Sequence, residues 1–517
     1  MAELDDPNYD GLRTFDWLAK LVGLPIDQLN FLITQFTALG LAGLLRSKLS
    51  PTVVTPAVRH IFGLVIGLTL GYFCFGRHAI HLAGLPAVTY VVIRSWDPQS
   101  MQRVVLAVAM LYLSAIHFHR QAYDYGSSAL DITGPLMVIT QKVTSLAYSL
   151  HDGLARKEDE LTPAQRYHAM QKMPTFIEYF SYVLHFQALM AGPIIFYRDY
   201  INYVNGYGHT LTGNEESNGN GYKIVRDPSP TQAVVKKVAA SLACAFIFVT
   251  FIPYYPIRRL KEEEFLQSTN FLQKYWYLII STMLVRFKYY HAWLFADAIC
   301  NNSGLGFNGY DENGSARWDL LSNVDVWKFE TALSLHDSIE AWNKGTNRWL
   351  RMIVYDRVTK YRTVLTYGLS AVWHGFYPGY YLTFASGAFF TFVARTVRRH
   401  IRPYFVSSKS KKVFYDILTL VTTRLVLAYI TFSFILLEFA PSITLYLNMY
   451  LAPHVFGLSA VLVLPLVPRT RELGGGSKMK PERPSSSSSS RNGRSAVVNH
   501  HDDHHHNHHH GHVHKGK

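Results

Sequence analysis

His374 lies in an otherwise apolar stretch, Thr363 to Gly379, that reads as membrane-embedded. Upstream sits a polar cassette, Trp342-Asn-Lys-Gly-Thr-Asn-Arg-Trp-Leu-Arg351. An ionisable group held inside a membrane is costly to keep and marks a functional site by default. An imidazole that can titrate near neutrality beside a cavity is suited to taking a proton from an attacking group. The amide of Asn343 can donate to a developing oxyanion, or orient a hydroxyl or an acyl carbonyl. At helical spacing Trp342, Asn343, Thr346 and Trp349 would share one face. Asn343 and His374 are too far apart for one short helix, so joint action requires the fold to bring two segments together.

Each feature also has an ordinary structural reading. A buried His can be satisfied by a neighbouring backbone carbonyl. The cassette could be an interfacial helix with Trp at headgroup level and Arg snorkelling. The neighbours of His374 favour the functional reading. Trp373 and Gly375 flank it and Pro378-Gly379 follows, so the helix is locally irregular. Irregular backbone at membrane depth is tolerated where it is buried in protein or lines a cavity.

The elements that must hold these groups are apolar. Strongly apolar runs cover residues 29–45, 60–76, 78–93, 104–118, 176–197, 233–257, 271–299, 363–393 and 413–466. A span takes about 20 apolar residues, and this predicts an all-α, polytopic membrane protein with about nine to eleven embedded helices, some re-entrant. Residues 131–153 mix apolar and polar residues at helical spacing, which suits a helix lining a polar interior. Residues 1–28 read as a polar or interfacial lead-in with no cleaved secretory signal, and 29–466 as the multi-span region. Residues 202–232 read as a loop, and 301–350 as a long stretch without a spanning signal. Residues 467–517 hold a six-serine run and a His-rich end, predicted to be a disordered tail with no defined metal site.

The net charge of +14 could suggest nucleic acid. In a polytopic chain, cytoplasmic loops following the positive-inside bias explain it better, and no nucleic-acid partner is expected. The basic clusters, Arg258 to Lys261, Arg395 to Arg402 and Lys409 to Lys412, each border an apolar run. Such loops attract anionic headgroups, and would attract an anionic co-substrate such as coenzyme A. Cys74, Cys244 and Cys300 are few, odd in number and in apolar context, which predicts buried free thiols.

The pair Trp342-Asn-x-x-Thr-x-x-Trp-Leu-Arg351 and Ser370-Ala-Val-Trp-His-Gly375 resembles the membrane-bound O-acyltransferase family. Phe287-Lys-Tyr-Tyr-His-Ala-Trp through Gly309, Phe180 through Gly192-Pro193, and Gln141 through Gly153 are similar to further segments of its lysophospholipid acyltransferase branch. The resemblance covers roughly residues 30 to 465. It implies a many-helix enzyme of the endoplasmic reticulum membrane with a buried catalytic chamber. Acyl-CoA would be a co-substrate rather than a bound cofactor, a lysophospholipid the acceptor, and membrane lipids the surroundings; no metal is implied. It implies that His374 and Asn343 are catalytic, and that Trp342, Thr346, Trp349, Lys288, Tyr290, Trp373 and Gly375 contact substrate.

Two departures from the branch are present. Lys344-Gly345 replaces a common Ile-Gln pair, and Ala296-Asp297-Ala298 replaces a Glu-Gly pattern. The second is similar to the subgroup favouring lysophosphatidylserine and lysophosphatidylethanolamine. His119 to Asp124 matches the His-x4-Asp spacing of an unrelated glycerolipid acyltransferase family, whose partner block is absent. Three other readings stay open on sequence: a sterol, diacylglycerol or protein acceptor in the same family; a transporter with a proton relay through His374; and a scaffold without activity.

Overall fold

The computed structural model describes residues 7–127, 129–207 and 228–466. The loop expected over 202–232 falls largely outside them, as do the start of the lead-in and the 467–517 tail. Among the described residues every regular element is helical, and the one strand-like pairing is an isolated antiparallel bridge, Tyr310 with Ala316.

The first part of the chain runs α1 (Asp16–Val22), α2 (Ile26–Ser47), α3 (Pro56–Phe75), α4 (Ile80–Ser95), α5 (Met101–Tyr123), α6 (Thr133–Leu154), α7 (Pro163–His168), α8 (Phe176–Leu184) and α9 (Tyr197–Asn205). The second runs α10 (Thr231–Phe251), α11 (Glu263–Ser268), α12 (Phe271–Asn302), α13 (Val326–Glu330), α14 (Leu335–Ala341), α15 (Lys344–Leu350), α16 (Arg362–His374), α17 (Pro378–Ile401), α18 (Lys409–Leu436), α19 (Phe439–Asn448) and α20 (Ala452–Val463). Local signals set several starts. Thr162 with Gln165, Thr175 with Glu178, and Asn270 with Gln273 form reciprocal capping boxes at α7, α8 and α12. Each satisfies two of the amides that a helix start leaves unpaired.

Five helical segments are long and apolar enough to cross a bilayer: Ile26–Ser47, Pro56–Ser95, Met101–Tyr123, Thr231–Lys261 and Lys409–Leu436. Phe439–Asn448 with Ala452–Leu466, bent by 72°, makes up to six. The expected nine to eleven embedded helices are not reached by that measure. α6, α12 and α17 are long but carry polar and charged residues along their length, and α16 has only 13 residues.

Two apolar runs do not form the single spans that their length suggested. Residues 176–197 make only the nine-residue α8, a 3-10 turn at Phe186–Ala188 and a buried irregular segment. That segment is held against α3 by a stripe of small residues, Gly63, Gly67 and Gly71. A Cβ at Gly67 would collide with the Leu184 carbonyl oxygen, so only glycine permits the approach. Residues 363–393 divide into α16 and α17 at Gly375, whose φ is +120°, and Pro378 opens the second helix at its first turn.

α6 lies inside the bundle beside α4 and α5, and most of its residues are buried, polar ones included. It therefore has the interior role its mixed pattern predicts. α12 packs along α10, α18 and α2. All three cysteines are buried and free.

Candidate active site

A chamber of about 1590 Å³ runs between α5, α6, α12 and the α14–α18 segment. His374 and Asn343 both line it, as do Trp342, Thr346, Lys288 and Trp373. The volume exceeds that of a usual small-molecule pocket, about 300–1,000 Å³.

One face of α6 brings the two motifs together. Gln141 Nε2 donates to Thr346 Oγ1 at 2.8 Å, and Trp349 Nε1 donates to Thr144 Oγ1 at 2.9 Å. Trp373 Nε1 donates to the Met137 carbonyl at 3.0 Å. Residues 137, 141 and 144 follow the i, i+4, i+7 spacing of a single helix face. α6 is thus a bracket, with the cassette at one point and the His374 helix at another.

His374 is the last residue of α16, with part of its ring open to the chamber. Its Nδ1 lies 2.7 Å from the Ser370 carbonyl oxygen. A carbonyl only accepts, so Nδ1 carries the hydrogen and Nε2 keeps its lone pair. Trp373, Phe384, Phe434 and Tyr380 surround the ring at centroid distances of 4.6 to 5.9 Å. Gly375 lies behind it: a Cβ there would stand 3.1 Å from His117 Nδ1. His117, on α5, donates from Nε2 to the Trp373 carbonyl at 3.0 Å.

Asn343 sits at the turn between α14 and α15 in the left-handed region, φ 44° and ψ 52°. Asn tolerates that region better than most residues. Its Oδ1 accepts from Asn323 Nδ2 at 3.2 Å. With Oδ1 engaged by Asn323, Nδ2 is the other edge of the amide.

The expected shared face of the cassette is not formed. α15 begins at Lys344, so Trp342 and Asn343 precede it. Trp342 packs among Trp293, Phe329, Tyr289 and Tyr290. Trp349 points the other way, fully buried between α6 and Trp373. Trp349, Tyr290 and Gly375 stand behind the chamber lining rather than in it. The Tyr290 hydroxyl donates to Glu330 Oε1 at 2.6 Å, and Tyr289 takes the lining position.

Glu330 also accepts from Arg286 and Arg424, a knot that ties α12, α13 and α18 together. Burial alone would raise its carboxyl, but Arg286, Tyr290 and Arg424 outweigh that and hold it below the usual carboxylate range. Along the same chamber α17 extends 24 residues, about 36 Å, from the His374 end. At its far end Arg395, Arg398, Arg402 and Lys412 line the space.

His117 and Asn323 escape sequence reading, because each acts on a residue far along the chain and neither lies in a periodic or motif-like setting. His119 and Asp124 do not form a pair: His119 rests on Tyr123, and Asp124 accepts from Asn8. His336, Asp337 and Glu340 cluster on α14 with an arrangement that could hold a cation, but His336 and Glu340 are solvent-exposed and Glu340 also pairs with Lys328.

Comparison with known proteins gives the family. The MBOAT, membrane-bound O-acyltransferase family matches residues 118–436. Lysophospholipid acyltransferase 6 of Drosophila melanogaster is 57% identical over 465 residues, 89% of this chain, and the match covers 64% of that relative's own length. Membrane-bound glycerophospholipid O-acyltransferase 1 of Mus musculus is 40% identical, with 87% of this chain and 92% of the relative covered. Lysophospholipid acyltransferase of Schizosaccharomyces pombe is 33% identical, with 87% and 88% covered. The chamber with His374 and Asn343, the apolar helices around it and these likenesses lead to one assignment: the chain is an integral membrane protein that belongs to the membrane-bound O-acyltransferase family.

Proposed function

We propose that the chain is an acyl-CoA:lysophospholipid O-acyltransferase that re-esterifies lysophospholipids in the endoplasmic reticulum membrane. The observation that carries this reading is the shared chamber, with the Nε2 edge of His374 and the Nδ2 edge of Asn343 both available to a substrate. Acyl transfer is the reaction its family is named for, and the names of the relatives point to a lysophospholipid acceptor.

In the proposed reaction His374 Nε2 takes the proton of the free glycerol hydroxyl as that oxygen attacks the thioester carbonyl carbon. Asn343 donates to the carbonyl oxygen as negative charge develops there. The carbon–sulfur bond then breaks, and the coenzyme A thiolate leaves and recovers the proton from the imidazolium. The products are a phospholipid and free coenzyme A. Transfer is direct, since no Ser or Cys motif accompanies the His. The thioester donor is anionic, and Arg395, Arg398, Arg402 and Lys412 suit its phosphates at the far end of the chamber. Acyl-CoA is a co-substrate, with no tightly bound cofactor. Lysophosphatidylserine and lysophosphatidylethanolamine are the preferred acceptors on the strength of the Ala296-Asp297-Ala298 variant.

Purified wild type and His374→Ala, assayed for free coenzyme A across a panel of lysolipids, a sterol and diacylglycerol, test this. A lysolipid-dependent release lowered about 10²–10⁴-fold in the variant is expected. Full activity in a folded His374→Ala removes the mechanism. Release only with a sterol or diacylglycerol removes the acceptor.

A further inference from the structure

Asn343 can serve an oxyanion only if its amide presents nitrogen, not oxygen, to the chamber. The two ends of an amide have nearly the same shape, so something must choose between them. Asn323 makes three polar contacts with the cassette. Its Nδ2 donates to Asn343 Oδ1 at 3.2 Å, its Oδ1 accepts from the Gly345 amide at 2.9 Å, and its carbonyl accepts from the Lys344 amide at 2.8 Å. The Gly345 contact settles which way Asn323 itself faces: a backbone N–H needs an oxygen, so the nitrogen must point to Asn343. That nitrogen in turn requires an oxygen from Asn343 and leaves Nδ2 for the substrate.

The surroundings hold Asn323 in place. It is buried, and the preceding residue is tied down: the Ser322 hydroxyl donates to Asp297 Oδ2 at 2.6 Å. Lys237 donates to the same oxygen at 2.6 Å and to the Trp318 carbonyl at 2.7 Å. Asp297 is the residue that departs from the Glu-Gly pattern. Gly345 is the other departure. A Cβ there would lie 3.1 Å from Asn323 Oδ1 and 2.9 Å from Ile194 Cγ2, so the bare backbone makes room for the clamp.

We infer that Asn323 is a positioning residue that fixes the amide orientation of Asn343, and that the Lys237–Asp297–Ser322 network holds Asn323 to that task. The inference rests on the reading of Asn343 as an oxyanion donor. Asn323→Asp tests it, because the variant keeps the shape and the acceptor for Gly345. Its second oxygen can only accept, so it calls Asn343 Nδ2 inward and turns an oxygen toward the substrate. Asn323→Ala merely frees the amide. Orientation therefore predicts that Asp is the more damaging change, with kcat down about 10²–10³-fold and KM for acyl-CoA little altered. A purely structural role predicts the reverse order, since Asp is the closer replacement.

Asn323→Asp, Asn323→Ala, Asn343→Ala and the double variant Asn323→Asp/Asn343→Ala would be compared by coenzyme A release, with thermal unfolding in detergent as the check on folding. The double variant is expected to be no worse than Asn343→Ala alone. Milder loss in Asp than in Ala, or losses that multiply in the double variant, overturn the inference. Should Asn323→Asp not fold, the cycle of Asn323→Ala with Asn343→Ala decides by the same criterion of multiplying losses. Full activity in Asn343→Ala instead overturns the underlying reading of Asn343.

Discussion

The indole rings of Trp349 and Trp373 lie 5.7 Å apart between centroids, and this contact joins the segment carrying Asn343 to the helix carrying His374. The first expected outcome concerns Trp349. Trp349→Ala empties a fully buried site beside α6, and such truncations cost about 3–5 kcal/mol. Trp349→Phe removes the hydrogen bond to Thr144, worth about 0.5–1.5 kcal/mol, and only part of the buried ring volume, so it should cost less than the alanine change. Thermal unfolding in detergent should separate the two. KM for the lysolipid should stay constant in Trp349→Phe, since the ring stands behind the lining; a large KM rise would return Trp349 to the substrate surface.

Gly375→Ala should damage activity through backbone and packing. The residue holds φ at +120°, where a side chain is strained by about 1–3 kcal/mol, and its Cβ would press on the His117 ring. Both effects displace the end of α16 that carries His374. A loss of kcat together with a lowered unfolding temperature is expected. Wild-type values of both would show that the break at Gly375 is not what places His374.

The knot around Glu330 has a defined pH signature. Its carboxyl is held below the ordinary value, so its stabilisation is complete above the unfolded carboxyl pKa of about 4.3. That contribution fades as pH falls through the lower folded value. Glu330→Gln should therefore lower stability at neutral pH by about 1.5–3 kcal/mol, as for hydrogen bonds to charged groups. The gap to wild type should narrow below about pH 4. Unfolding temperatures that differ equally at pH 7 and in acid would contradict this account.

The basic end of the chamber predicts a salt-sensitive donor site. Arg398→Glu with Arg402→Glu should raise KM for acyl-CoA roughly tenfold, with less effect on the lysolipid. The wild-type KM should itself climb with ionic strength, and the double variant should show a weaker dependence. Equal KM in low salt for wild type and variant would place the donor elsewhere.

Much of this was legible in the chain. A lone His in an apolar run, a Gly and a Pro after it and the mixed pattern of α6 each carry local physics, and local physics can be read from neighbours. The helix break at Gly375 and the interior position of α6 follow from such signals. The split of residues 176–197 was less accessible. Its composition is that of a span, and only the approach to the glycine stripe of α3 shows why it does not need to be one.

Residue types and spacing, then, determined the all-helical membrane architecture and pointed to His374 and Asn343, because hydrophobic run length and the cost of a buried polar group act residue by residue. The tertiary structure decided which edges of those two side chains are available. Ser370 takes Nδ1 of His374 and Asn323 takes Oδ1 of Asn343, and a hydrogen bond is satisfied by whatever the fold brings within 3 Å or so, near or far along the chain. It also moved Trp349, Tyr290 and Gly375 behind the wall of the chamber, since the direction of a side chain depends on the path of the backbone that carries it.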